Sequence, residues 1–290
     1  MTLASEFAWV NGTLLPREQG APSLASISFH LGTGVFDGIM AYWNGDHYYL
    51  HEIDAHLDRF KAGAARMSLP VHWSKAELLA GIEELLERGP KETQYIRPIA
   101  YRGAPELWIT GNTSQPPDVS IFTVRLGKRR ELGSLLSCHL SPIERTSSKS
   151  TAAQTKVCGS YVNSFLARSA AEALGFDDGI MLDRNGLIAE ASAANIFLIS
   201  KNSIITPRLS PEIFPGITRI VILNLCRKLG TEAVEIDITP HDLRGVSGAF
   251  LCSTLMEMRG VSRIGNQLLD TSQSEIYQEL ISAFSKHTSQ

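Results

Sequence analysis

Three stretches in the second half of the sequence carry residue types suited to group-transfer chemistry. Lys156 lies in Thr155-Lys156-Val157-Cys158-Gly159-Ser160-Tyr161, where a run of small polar residues ends and a helix is expected to begin. An amine set among small residues at such a junction is partly desolvated, and desolvation moves lysine toward its neutral, nucleophilic form. Pro215-Gly216-Ile217-Thr218-Arg219 opens a predicted helix with free amides and a hydroxyl, which suit a phosphate dianion. Glu190 ends a predicted strand and precedes Ala191-Ser192-Ala193-Ala194-Asn195, small residues that would let a flat ring approach the backbone. Each stretch also has an ordinary reading: a solvated lysine, a plain Pro/Gly helix start, an exposed strand-end carboxylate.

Taken together, a nucleophilic amine, a phosphate cradle and a carboxylate are what pyridoxal phosphate requires. The lysine would hold the aldehyde as a Schiff base. The carboxylate would keep the pyridine nitrogen protonated, and the helix N-terminus would anchor the phosphate.

The surrounding pattern must place these groups. Asn11-Gly12 and Asn44-Gly45-Asp46 each separate two apolar runs, which predicts hairpins. Ile53, Leu57, Phe60 and Met67 fall at helical spacing over about 52–67. Ser74 with Glu77 forms a capping box for a second helix that carries Leu78, Leu79, Ile82, Leu85 and Leu86 and stops at Gly89-Pro90. Strands are expected at Tyr95–Tyr101, Val119–Leu126 and Leu135–Leu140, the first at an edge or bulged because Pro98 lacks an amide donor. Val162–Leu174 reads as a helix closed by Gly175, and Ile180–Leu182, Leu187–Glu190 and Ile196–Ile199 as strands. Gly216–Leu229 reads as a helix with Gly230 beyond its end. Val234, Ile236 and Ile238 alternate with acids as in a half-buried strand, and Ser272 with Glu275 suggests a cap for a C-terminal helix. The fold class is mixed α/β (α+β). The expected domains are 1–143, a Ser/Thr-rich linker at 144–155, and 156–290.

Composition removes other classes. The 290 residues carry a net charge of -3 and their densest basic run is Lys128-Arg129-Arg130, so neither nucleic acid nor an anionic membrane is an expected partner. The four cysteines are scattered without a C-x-x-C pair, which predicts free thiols in a cytoplasmic protein. No apolar run reaches the length of a membrane span, and no signal peptide is read at the N-terminus. His51 and His56 are five residues apart, off the common helix face of a zinc site, so no metal is expected. Gly32 to Gly38 departs from dinucleotide-binding spacing and reads as turn glycines. Glu83-Glu84 reads as solvated helix surface, and no G-x-S-x-G elbow is present.

The motifs resemble those of the class IV (fold type IV) pyridoxal-phosphate enzymes, which include branched-chain and D-amino acid aminotransferases and aminodeoxychorismate lyase. The resemblance runs over about residues 7–285. F-x-G at Phe36–Gly38, H-L-x-R at His56–Arg59 and Tyr95-Ile96-Arg97-Pro98 match in the first half. K-x-x-G-x-Y at Lys156–Tyr161, E-x-x-x-x-N-I-F at Glu190–Phe197 and Pro215–Arg219 match in the second.

The resemblance implies a two-domain, D-amino-acid-aminotransferase-like architecture, pyridoxal 5'-phosphate as cofactor, and a homodimer. It implies Lys156 as Schiff-base lysine and proton shuttle, Glu190 at the pyridine nitrogen and Tyr161 at the ring hydroxyl. Arg59, Gly216, Ile217, Thr218, Ser253 and Thr254 would serve the phosphate side. Tyr95 with the amides of Thr254 and Leu255 would bind the substrate carboxylate; Arg97 would support Tyr95 or meet a second carboxylate, and Phe36 would line the side-chain pocket. The pattern is most similar to the branched-chain subgroup, which implies transamination between an amino acid and a 2-oxo acid such as 2-oxoglutarate. A lyase, a D-amino acid or amine transaminase, and a non-catalytic binding protein are the alternatives. An aromatic loop of the branched-chain enzymes aligns with Leu126 and Arg129 here, which implies a wider or more polar pocket open to acidic or polar side chains.

Overall fold

The computed structural model describes residues 4–104, 115–126, 135–201 and 203–289. Its contacts divide the chain into one unit of Met1–Arg129, Thr155–Gly159 and Ser289–Gln290, and another of Arg130–Gln154 and Ser160–Thr288.

In the first unit, strands β1 (Ala4–Val10) and β2 (Thr13–Pro16) form the hairpin expected at Asn11-Gly12, both residues having positive φ, 50° and 89°. A short helix α1 (Ile27–Leu31), not expected from the sequence, leads to β3 (Val35–Phe36), β4 (Ile39–Trp43) and β5 (Tyr48–Leu50). Helices α2 (Ile53–Arg66) and α3 (Lys75–Arg88) follow, then β6 (Gln94–Tyr101) and β7 (Asp118–Arg125). The Ser74 capping box forms as expected, and α3 buries Leu78, Ile82, Leu85 and Leu86. Among the described residues the antiparallel sheet runs β2-β1-β7-β6-β4-β5, with β3 also on β6.

Pro98 therefore lies in a central strand, not at an edge. β6 pairs with β7 without a break in register and, on its other side, with β3 at Ile99–Ala100 and β4 at Gln94–Ile96. The Pro98 nitrogen faces the interval between β3 and β4, where Asp37 N donates to Pro98 O at 3.0 Å. The missing donor thus falls where the neighbouring strand is itself interrupted.

In the second unit, β8 (Leu136–Leu140) is followed by α4 (Tyr161–Glu172), β9 (Asp178–Leu182), β10 (Ile188–Ala191), β11 (Asn195–Ser200) and β12 (Ser203–Pro207). Then come α5 (Ile217–Leu229), β13 (Glu232–Ile236), β14 (Gly248–Ser253), β15 (Glu257–Ile264), β16 (Gln267–Leu268) and α6 (Glu275–His287). The sheet runs β10-β9-β8-β15-β14-β11-β12-β13, with β16 beside β15; β8 is parallel to β9 and β15, and β12 to β13. Alternation sends Ile196, Leu198 and Leu251 into one core and Phe197, Ile199 and Phe250 into another, which Ile222, Leu225 and Phe284 of α5 and α6 complete. The Phe197 and Phe250 rings stack 4.9 Å apart.

Three details differ from the sequence reading. The C-terminal helix is capped by Ser274, whose hydroxyl accepts from Tyr277 N, not by Ser272. β13 is an edge strand, so Ile236 is exposed and only Ile238 beyond it is buried. The expected division at 143 and 155 is also displaced, since β8 pairs inside the second sheet while 155–159 packs in the first unit. The stretch 144–155 is not a bare spacer: Arg145, Ala153 and Thr155 are buried. Among the described residues no helix is long and apolar enough to cross a membrane.

Candidate active site

In the first unit the candidate residues gather around the backbone ribbon that carries Lys156. Phe36 N donates to Lys156 O at 3.0 Å, Cys158 N to Gly34 O at 2.8 Å and Gly159 N to Gly32 O at 2.8 Å. Gly32 caps α1 with φ 66°, and a Cβ there would lie 3.0 Å from Gly159 Cα. The glycines at 32 and 159 thus permit two backbones to touch, a role the turn reading of Gly32 does not contain. Lys156 Nζ sits over the Phe36 ring, 5.5 Å from its centre, and the Arg97 guanidinium over the same ring at 4.3 Å. Arg97 Nη2 donates to the Tyr95 hydroxyl at 3.1 Å. Tyr95 packs with Met40 and Tyr42, and Leu126 and Tyr49 close that apolar cluster. Arg129 lies outside the described residues.

Arg59, on α2, is held by Asp37. Its Nε donates to Asp37 Oδ2 at 2.8 Å and its Nη2 to Oδ1 at 2.7 Å. His56 Nδ1 donates to the same Oδ1 at 2.8 Å, and Gly38 N adds a bond at 2.7 Å. Burial raises the pKa of the Asp37 carboxyl, but the Arg59 and His56 bonds and charges outweigh it and hold it well below the usual carboxylate range. Burial in turn lowers the His56 pKa, against the opposing pull of Asp37.

In the second unit Glu190 is 5% exposed at the end of β10. Arg145 Nε pairs with Glu190 Oε1, and Arg145 Nη2 donates to Ala153 O at 3.1 Å. Asn195 Nδ2 donates to Glu190 Oε2 at 3.1 Å and to Phe214 O at 3.0 Å, while Phe214 N reaches Oε2 at 3.3 Å. These bonds tie Glu190 to the segment that leads into α5. Gly216 is the N-cap of α5, and a Cβ there would overlap Asn195 Oδ1. Ile217 and Thr218 form the first turn and are buried. Arg219 points elsewhere, donating to Pro207 O at 2.9 Å and pairing with Glu235 at 2.7 Å. Tyr161 opens α4, half-buried, and Ser253 Oγ accepts from Met256 N at 3.3 Å in the tight β14–β15 connection that holds Thr254 and Leu255.

The sequence pattern of the family described as Amino-transferase class IV matches residues 34–264. The chain belongs to the class IV aminotransferases. A probable branched-chain-amino-acid aminotransferase of Aquifex aeolicus is 33% identical over 271 residues, 92% of this chain and 86% of that one. Among solved structures, the branched-chain aminotransferase of Thermoproteus uzoniensis with norvaline superimposes with a TM-score of 0.92 at 29% identity, covering 98% of this chain and 94% of that one. The T.th. branched-chain amino acid aminotransferase complexed with N-(5'-phosphopyridoxyl)-L-glutamate gives 0.91 at 27% identity, covering 99% and 94%. The two-domain, mixed α/β expectation of a fold type IV aminotransferase thus holds for the architecture.

Three residues of this class IV aminotransferase escape the sequence reading. Asp37 is only the unspecified middle of F-x-G, and Arg145 is absorbed into the small-residue stretch Glu144–Thr155. Asn195 has no role there beyond its place in the E-x-x-x-x-N-I-F motif. For Arg145 a signal exists: a guanidinium inside a run of small residues has little surface to lie on and suggests a buried partner.

Proposed function

We propose that the chain uses pyridoxal 5'-phosphate to move an amino group between an amino acid with an aliphatic side chain and a 2-oxo acid such as 2-oxoglutarate. The observation that carries the reading is Lys156, held by its ribbon over Phe36 in the unit that also contains the Asp37-anchored Arg59. The residues present fit the cofactor. Glu190 is a buried carboxylate paired with Arg145, an acceptor that suits a protonated ring nitrogen. The first turn of α5 offers amides with Thr218 for a phosphate, and Arg59 offers a fixed cation.

When bound, the cofactor supplies the electron sink that lets the amino acid Cα lose its proton. The chain supplies the rest. Lys156 Nζ would be the amine that holds the cofactor, and it would carry the proton taken from the substrate Cα. Tyr161, at the start of α4, would meet the ring hydroxyl. By resemblance to the family, the substrate carboxylate would fall to the Tyr95 hydroxyl, which Arg97 fixes, and to the amides of Thr254 and Leu255. Phe36 and the cluster of Met40, Tyr42, Tyr95 and Leu126 offer an apolar wall, which supports an aliphatic side chain, while Arg97 suits the distal carboxylate of a five-carbon 2-oxo diacid. Four free thiols, three of them buried, suit a reducing cytoplasm.

Lys156→Ala should abolish the yellow colour of the holoenzyme and lower turnover with leucine and 2-oxoglutarate by several orders of magnitude; a variant that kept both would overturn the assignment.

The chain also acts as a homodimer in this reading. Val162, Phe165 and Leu166 form an exposed i, i+3, i+4 stripe on α4, at 61%, 69% and 47% exposure. Phe165→Glu should therefore shift the mass measured by light scattering from dimer to monomer.

A further inference from the structure

We infer that Asp37 and His56 are positioning residues that fix the orientation of Arg59 toward the cofactor phosphate. The inference rests on the reading of Arg59 as a phosphate ligand. It concerns Asp37, the unspecified middle of F-x-G, and His56, to which its place in H-L-x-R gives no role.

An unanchored arginine on a helix face must surrender its rotamer freedom when it binds an anion. Asp37 removes most of that freedom in advance. Its two oxygens receive Nε and Nη2 at 2.8 and 2.7 Å, a fork that fixes the plane of the guanidinium as well as its position. With that edge committed to Asp37, the direction of the opposite edge is set by the geometry of the group.

The anchor is itself held from every side. Asp37 is 1% exposed and stands between β3 and β4. Its amide donates to Pro98 O at 3.0 Å, and its carboxylate also accepts from Gly38 N at 2.7 Å. His56 lies one turn before Arg59 on α2 and supplies the remaining bond to Asp37 Oδ1, at 2.8 Å. Since a carboxylate only accepts, that bond fixes the tautomer with hydrogen on Nδ1.

His56 is fully buried, and its Nε2 has no hydrogen-bond partner among the described residues. An orphaned buried nitrogen is costly, and a leucine would fill the space without it. The imidazole is therefore retained for its Nδ1 donor, and that donor serves Asp37 alone among the carboxylates at hydrogen-bond distance.

The test compares pyridoxal 5'-phosphate with pyridoxal, which has the same ring and aldehyde and no phosphate. The full-length chain, stripped of cofactor by dialysis, is titrated with each and followed by absorbance. Arg59→Ala serves as the reference and should reduce the preference of the native chain for the phosphorylated form more than any other variant tested, the α5 amides and Thr218 keeping the remainder. Asp37→Asn should lower affinity for pyridoxal 5'-phosphate by about 10–100-fold, as loss of an outer-shell partner does at metal sites, and leave pyridoxal affinity unchanged.

His56→Leu should have a smaller effect in the same direction. His56→Asn, whose side-chain amide places a donor near the Nδ1 position, should restore the preference. If Asp37→Asn does not fold, the contrast between His56→Asn and His56→Leu carries the test. Equal losses for both ligands, or no loss for either, overturn the inference. If Arg59→Ala retains the full native preference for the phosphorylated form, the reading of Arg59 fails first, and the inference fails with it.

Discussion

The first unit and the second each bury one ion pair beside their candidate site residues, with the signs reversed. Around Arg59 the buried anchor is the anion: Asp37 is 1% exposed and the arginine side chain 16%. Around Glu190 both side chains are 7% exposed, and the anchor is the cation of Arg145. The first arrangement presents a positive charge, suited to a phosphate; the second presents a negative one, suited to a protonated ring nitrogen. In both, the group that would meet the ligand is held by a counter-charge, so its orientation is set before any ligand arrives. The difference lies in water. Arg59 retains some access to solvent if its partner is lost, whereas Glu190 does not.

That difference can be broken by mutation. Arg145→Met leaves the Glu190 carboxylate buried without its guanidinium and should cost about 3–5 kcal/mol of stability, read as the denaturant midpoint. Removing both charges in Arg145→Met/Glu190→Gln should recover most of that loss, because a buried pair contributes little net stability while a broken one costs much. Asp37→Asn should cost less, about 1–3 kcal/mol, since the orphaned Arg59 can be partly hydrated. A larger loss for Asp37→Asn than for Arg145→Met would break the comparison.

Acid sharpens it further. The Asp37 carboxyl titrates well below the usual carboxylate range in the folded chain, so the unfolded chain binds protons first as pH falls. Its stabilising contribution is complete above the unfolded pKa of about 3.9 and is lost as pH drops below it. His56, with a folded pKa below its usual value, adds a loss that begins already below about pH 6.5. Thermal midpoints of native protein should thus fall from near-neutral toward acid pH, and Asp37→Asn should lack the component near pH 4. A variant with an unaltered profile would show that Asp37 is not the titrating anchor.

The smallest effect lies away from both pairs. Ser74→Ala removes the hydroxyl that accepts from Glu77 N at 3.2 Å and should cost about 1 kcal/mol, adding to either anchor variant without coupling.

How much of this is legible in the sequence follows from where each signal resides. The Ser74 box and the Asn11-Gly12 hairpin are readable because their physics is local, a cap or a turn within four residues. Lys156, Glu190 and the Pro215–Arg219 segment are readable as chemistry because their types and neighbours are unusual together. The anchors are not, because Asp37 and Arg59 are 22 residues apart and Arg145 and Glu190 are 45 apart, and no periodicity links them. β15 also escapes, since its apolar residues alternate with glycine, serine and arginine and give a weak period. The central place of Pro98 cannot be inferred, because it depends on a gap between two other strands.

The ribbon at Lys156–Gly159 carries a kinetic consequence. Its hydrogen bonds to Gly32–Phe36 join segments separated by most of the chain's first half, a contact of high order that forms only after long loop closure. During synthesis the first 129 residues emerge and can begin to pair before the ribbon exists. The segment bearing Lys156 is then added to a sheet already taking shape. Mutations at Gly32 or Gly159 should accordingly accelerate unfolding more than they retard folding, since their contacts belong to the last part of the barrier's native side. A chain ended before residue 155 would lack Lys156 and the ribbon together, so in a truncated product neither survives without the other.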